Sequence, residues 1–231
     1  MVRPNLKRLN FWEQHERRIL QVLTIALRLL ARERDLPPGE KENQINRKLY
    51  FCILSAIREV HEQGMDLISY PIYEGSNQPD ASDEERAARE GKRPDFQFGF
   101  IDHQEPNPDA SAKQFVVECK RLGESGRSDW VLSANYVEHG VVRFYEEQYG
   151  YGKSGPSGAM IGYLQNACAD QVLNEVNQAA TARRMPRIVL SREGWQRSDV
   201  SNLHHRLDRA MQPTPFDLRH LWLDLQNHSD N

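Results

Sequence analysis

Lysine is scarce for a charged residue, and cysteine is scarce too, in this 231-residue chain: seven lysines and three cysteines. The cysteines, Cys52, Cys119 and Cys168, show no C-x-x-C spacing, and His204-His205 has no partner at ligand spacing, so the pattern argues against a structural zinc site or a disulfide framework. All three fall in segments expected to be buried or half-buried, as in a reduced, cytoplasmic protein. No excess of positive charge is present: the formal net charge is -3 and the isoelectric point is near 6.3, which argues against a dedicated basic coat for nucleic acid but does not exclude contact with it. Long hydrophobic runs are absent too. The longest apolar segment, Ile19 to Leu30, is interrupted by Gln21 and Arg28 and is too short and too polar to span a bilayer. No secretory leader is recognisable.

What is present suits one α/β domain covering 1–231, with an N-terminal helical segment over about 1–38. A helix is expected from Phe11 to Arg34, stopped by Pro37-Pro38-Gly39. A second runs from about Glu42, with Ile45, Leu49, Cys52, Ala56 and Val60 spaced by three and four. Ile68 to Tyr73 reads as a short strand, followed by a polar, acidic stretch from Gly75 to Arg93. In Pro94-Asp-Phe-Gln-Phe-Gly-Phe-Ile, three phenylalanines alternate with polar or small residues, the mark of a half-buried strand opened by a proline. Gln114 to Arg121 is another strand. Helices are expected over Asn135 to Tyr145, from Met160 to Leu173 and over Ser198 to Met211, and strands at Arg187 to Ser191 and His220 to Leu225. This order fits a mixed central sheet flanked by helices.

Lysine scarcity gives one triplet its weight. An acid two residues before a lysine is expected about once in a chain of this composition, and it occurs twice. Glu90-Gly91-Lys92 lies in a polar stretch where every charge can be solvated. Glu118-Cys119-Lys120 ends a hydrophobic strand, where residues two apart share a face, so Glu118 and Lys120 enter or border the interior together. Burying two charges is costly unless they are paired or hold a metal. Of three Pro-Asp pairs, Pro79-Asp80 and Pro108-Asp109 stand among turn formers, and only Pro94-Asp95 opens a strand.

A Pro-Asp at the head of one strand, followed some twenty residues later by a strand ending Glu-x-Lys, resembles the PD-(D/E)XK nuclease superfamily, with its restriction-endonuclease-like core. The resemblance covers most of the chain. It implies a metal-dependent hydrolase of phosphodiester bonds, on DNA before RNA, of the sort found in bacterial restriction or anti-phage defence. It implies Mg²⁺, with Mn²⁺ as a substitute, held by Asp95, Glu118 and the carbonyl of Cys119, and Lys120 orienting or activating the attacking water. An upstream glutamate completes such sites. Glu42 matches best, with Glu59 as a substitute, although an acid in a first helical turn also stabilises the helix dipole. A looser fourth element matches Gln165 or Tyr163, which surface polarity alone would also explain.

Lys92, Arg93, Arg121, Arg127, Arg143 and Lys153 are available to line the approach. A homodimer or a partner defence protein would supply a second site. The glycine-rich run Tyr149 to Gly158 contains a formal dinucleotide fingerprint but follows a helix, and it lacks the first glycine of a phosphate loop. It remains either a flexible connector or a phosphate contact at the start of the Met160 helix. Two alternatives to an active nuclease stay open: an inactive nucleic-acid-binding or scaffold subunit on the same fold, and an unrelated α/β protein in which Glu118 and Lys120 form a structural ion pair.

Overall fold

A computed structural model describes residues 11–33, 39–67, 69–77, 84–124, 131–197 and 199–226. The expected start of the first strand at Ile68, the helix stop at Pro37-Pro38, Pro79-Asp80, Arg127 and Ser198 lie outside the described residues.

Two long helices come first. In α1 (Phe11–Ala31), Ile19, Val22, Leu23, Ala26, Leu27 and Leu30 form the buried stripe, and α2 (Glu42–Glu62) packs beside it. The strand β1 (Pro71–Tyr73) and the short helix α3 (Arg86–Glu90) lead to β2 (Phe96–Ile101) and β3 (Ala112–Gly123). The chain continues through α4 (Leu132–Tyr136), a π-turn at Val137–Val141, and α5 (Val142–Tyr145). Then follow β4 (Ser157–Gln165), α6 (Ala169–Ala182), β5 (Val189–Leu190), β6 (Val200–Leu207) and β7 (Phe216–Asp224).

The seven strands form one mixed sheet in the order β1-β2-β3-β4-β7-β6-β5. β1, β2 and β3 pair antiparallel, β3, β4 and β7 pair parallel, and β7, β6 and β5 pair antiparallel. On one face α1 and α2 cover Phe96, Phe98, Val117, Cys119, Ile161 and Tyr163. On the other, α4, α5 and α6 cover Val116, Leu122, Met160, Leu164 and Trp222. The expected mixed sheet with helices on both faces is therefore present.

Two expected helices are strands. Met160 lies in β4, whose nine residues are all buried. A parallel strand covered on both faces reads as a continuous apolar run, and without alternation it resembles a buried helix. The helix expected there begins only at Ala169, after Cys168, which is exposed and not buried. The segment expected as a helix to Met211 is β6, in which Leu203, His205 and Leu207 are buried in alternation. His205 is a polar residue in a core position, and it hid the period of two.

The phenylalanine strand is more buried than alternation suggested, since Gln97 is fully buried as well. Its Nε2 donates to the carbonyls of Gly75 and Ser76, at 2.7 and 3.1 Å. The glycine-rich run is a pinned connector. Arg209 donates to the carbonyls of Phe144, Tyr151 and Gly152 at 2.8–3.0 Å, and its guanidinium stacks 3.9 Å from the Phe216 ring. With no helix starting at Met160, the expected phosphate contact at such a start has no structural basis.

Candidate functional site

The candidate site lies where α2, β2 and β3 meet. Phe96 pairs with Val117 in an antiparallel ladder, so Asp95, just before β2, arrives beside Glu118. Its Oδ2 accepts a 2.6 Å bond from the Cys119 amide. Its Oδ1 accepts from Asn46 Nδ2 of α2 at 3.0 Å, and Asn46 Oδ1 in turn accepts from the Tyr163 hydroxyl of β4 at 2.8 Å. Asp95 is thus held in place by a strand and by a helix.

Lys120 Nζ sits at the centre. It donates to Glu118 Oε1 at 2.9 Å, to Glu42 Oε1 at 2.9 Å and to the Cys119 carbonyl at 2.6 Å, and lies 3.9 Å from Asp95 Oδ2. The carboxyls of Asp95 and Glu118 therefore face a common point. Glu42, the first residue of α2, also accepts from the Arg121 amide through Oε2 at 3.2 Å, so its carboxyl reaches across to β3. Glu59, the substitute, is exposed near the far end of the same helix.

Glu118 is the most deeply buried of the three acids, with a side chain 1 % exposed. Its Oε1 accepts from both Lys120 and Arg143 Nη1, the latter at 2.6 Å, while Oε2 is buried without a hydrogen-bond partner. Arg143 reaches it from α5, just past the π-turn. π-turns inside helices frequently accompany functional sites. Here the turn brings Gly140 against the sheet: a Cβ on Gly140 would lie 3.3 Å from Lys120 Cγ and run into Met160 Cε.

Burial, and next the negative charge of Glu118, hold the Asp95 carboxyl well above the usual carboxylate range. Desolvation works against the charged form of Lys120, but the surrounding Glu118, Asp95 and Glu42 outweigh it and raise its pKa, so it remains an ammonium. Burial pushes the Cys119 thiol up, which keeps it neutral within the α1–α2 core.

The cluster opens onto a cleft of about 880 Å³. Glu42, Lys120, Arg121, His139, Arg143 and Gln165 are among its lining residues. Gln165 is the last residue of β4 and not part of a helix, and it reaches the cleft wall three residues beyond Gly162, the partner of Lys120. Tyr163 points to the opposite face and meets the site through Asn46 and the Cys119 side chain. Of the six basic residues expected along the approach, Arg121 and Arg143 line this cleft. Asn46 was missed by the sequence reading, yet its position carries a signal. Asn46, Leu49, Ile53, Ala56 and Val60 form a buried stripe spaced by three and four, with one polar member.

Among the described residues, no group of three or more His, Cys, Asp and Glu stands in the arrangement of a metal centre. The donors nevertheless suit Mg²⁺ chemically. They are carboxylate and carbonyl oxygens gathered beside the Lys120 ammonium, and the second oxygen of Glu118 is buried without a partner. No helix among the described residues is long and apolar enough to cross a membrane. In comparison with known proteins, no family model, no curated protein and no solved structure matches the chain.

Proposed function

We propose that this chain is a Mg²⁺-dependent nuclease of the PD-(D/E)XK type, hydrolysing phosphodiester bonds in DNA before RNA, with Asp95, Glu118, Lys120 and Glu42 as its catalytic set. The observation that carries this reading is the convergence of Glu118, Glu42 and the Cys119 carbonyl on one cationic nitrogen, with Asp95 3.9 Å away, beside a cleft that Glu42 and Lys120 line. A role in restriction or anti-phage defence, and a second copy or partner protein supplying a second site, rest on the resemblance alone.

Bound Mg²⁺ supplies Lewis-acid charge and an acidified water. The protein's part is to present oxygens and order the reactants. Asp95 and Glu118 would hold the ion with the Cys119 carbonyl, and Asn46 and the Cys119 amide keep the Asp95 carboxyl turned to the site. Lys120 would donate a hydrogen bond to the incoming water and set its direction, with Glu42 retaining the ammonium beside it. Gln165 is available at the cleft wall to contact substrate.

A second reading, a nucleic-acid-binding subunit that does not cut, is favoured by one observation: Lys120 and Arg143 already neutralise Glu118. Plasmid and single-stranded substrates incubated with Mg²⁺, with and without EDTA, separate the two. Cleavage that stops with EDTA and in Lys120→Ala supports the nuclease. Binding without cleavage favours the subunit, and the absence of both cleavage and binding supports a structural ion pair.

A further inference from the structure

Arg143 and Lys120 compete for a single atom. Glu118 Oε1 accepts from Arg143 at 2.6 Å and from Lys120 at 2.9 Å. Three carboxyl groups, Asp95, Glu118 and Glu42, here face two cations. With a dication bound and all three carboxyls ionised, the two cations and the ion leave one positive charge, which one phosphodiester group would balance. Of the two cations, Lys120 is the less able to leave, because its stem packs against Gly140 and its side chain is 11 % exposed. The Arg143 side chain is 28 % exposed, lines the cleft, and carries the planar fork that matches phosphate oxygens.

We propose that Arg143 is a phosphate-binding residue held in reserve: it pairs with Glu118 while that carboxylate has no divalent partner, and turns to a backbone phosphate of the substrate once a cation claims Glu118. This rests on the cation reading above, and assigns to one residue the coupling between metal loading and substrate grip. The Glu118 carboxylate, with Oε2 already lacking a partner, is the shared element.

The test uses Arg143→Met and a duplex with a cleavage-resistant phosphorothioate backbone. Its affinity is measured against salt, in Mg²⁺ and in EDTA, beside calorimetric Mg²⁺ binding to the free proteins. Each phosphate contact contributes about 0.9 to the slope of log affinity against log salt. The expected result is that Arg143→Met still binds Mg²⁺, loses about one contact from the slope in Mg²⁺, and matches the unsubstituted protein in EDTA. Equal slopes in Mg²⁺, with Mg²⁺ bound by both proteins, overturn the role of Arg143 and leave the nuclease reading standing. Absence of Mg²⁺ binding to the unsubstituted protein overturns both. If thermal melts show that Arg143→Met does not fold, Arg143→Lys decides. It keeps the charge and loses the fork, so duplex affinity several-fold weaker in Mg²⁺ alone supports the role, and unchanged affinity overturns it.

Discussion

Asn46 and Asp95 are joined by a 3.0 Å hydrogen bond between the second helix and the head of the second strand, and Asn46 is itself fixed by Tyr163. A buried amide in an otherwise apolar helical stripe is tolerated because both its ends are used. Asn46→Ala is expected to leave Asp95 held by the Cys119 amide alone. Stability should fall by about 1–3 kcal/mol, as for a lost buried hydrogen-bond partner, and cleavage by about 10- to 100-fold, as for residues that orient metal ligands. Urea unfolding and single-turnover cleavage read the two effects separately.

Lys120 is both a candidate catalytic group and a structural cation. Lys120→Ala leaves Glu118 with Arg143 as its counter-ion and leaves Glu42 without the ammonium. Breaking such a buried pair costs about 3–5 kcal/mol, which the remaining Arg143 contact should bring to the lower end. The variant should melt below the unsubstituted protein in EDTA and regain much of the difference in Mg²⁺, since a ligand at a hundred times its dissociation constant adds about 2.7 kcal/mol. Cleavage should stay lost in both conditions. Melting curves with and without Mg²⁺ check this, and a melting temperature insensitive to Mg²⁺ would contradict it.

Gly140 sets the distance between the π-turn and the sheet. Gly140→Ala places a methyl group in the space of Met160 Cε and 3.3 Å from Lys120 Cγ. Overpacking of this kind costs about 1–3 kcal/mol. Displacement of the Lys120 stem should lower the cleavage rate further than a Gly-to-Ala change in an exposed helix would. Cleavage assayed well below the melting temperature distinguishes this from partial unfolding.

Three histidines, His15, His205 and His220, are buried and held below their usual pKa by burial, and the first two make the fold acid-sensitive in a definite window. Burial, and for His15 also the nearby Arg18 charge, lower the pKa of His15 from 6.5 to about 4; burial lowers that of His205 to about 4. The folded protein keeps both rings neutral where the unfolded chain protonates them. Between pH 6.5 and about 4 the unfolded state binds more protons, so stability is complete above this window and is lost as pH falls through it. The slope approaches about 1.4 kcal/mol per pH unit for each histidine. Urea midpoints at pH 7, 6 and 5 should fall progressively, and His205→Asn, which cannot titrate, should flatten the dependence.

The parts of the site legible in the sequence were those written in strand grammar. Asp95, Glu118 and Lys120 stand at fixed offsets from alternating or apolar runs, and the antiparallel register of Phe96 with Val117 brings them together without further information. Glu42 was legible as a helix start, but its reach to Lys120 depends on how α2 lies over β3, which no local pattern encodes. Arg143 was one basic residue among six, because its pairing with Glu118 is created by the π-turn. Periodicity failed at β4, buried on both faces, and at β6, where His205 holds a core position. The seven-strand order is likewise a long-range property, seen in β7 inserted between β4 and β6.

The most direct measurement is anomalous diffraction from crystals soaked with Mn²⁺. A single anomalous peak is predicted between the carboxyls of Asp95 and Glu118 and the Cys119 carbonyl, with Arg143 released from Glu118 and Lys120 kept beside the ion by Glu42. Crystals that take up no Mn²⁺ at this cluster, with Arg143 and Lys120 both still bonded to Glu118, would contradict it.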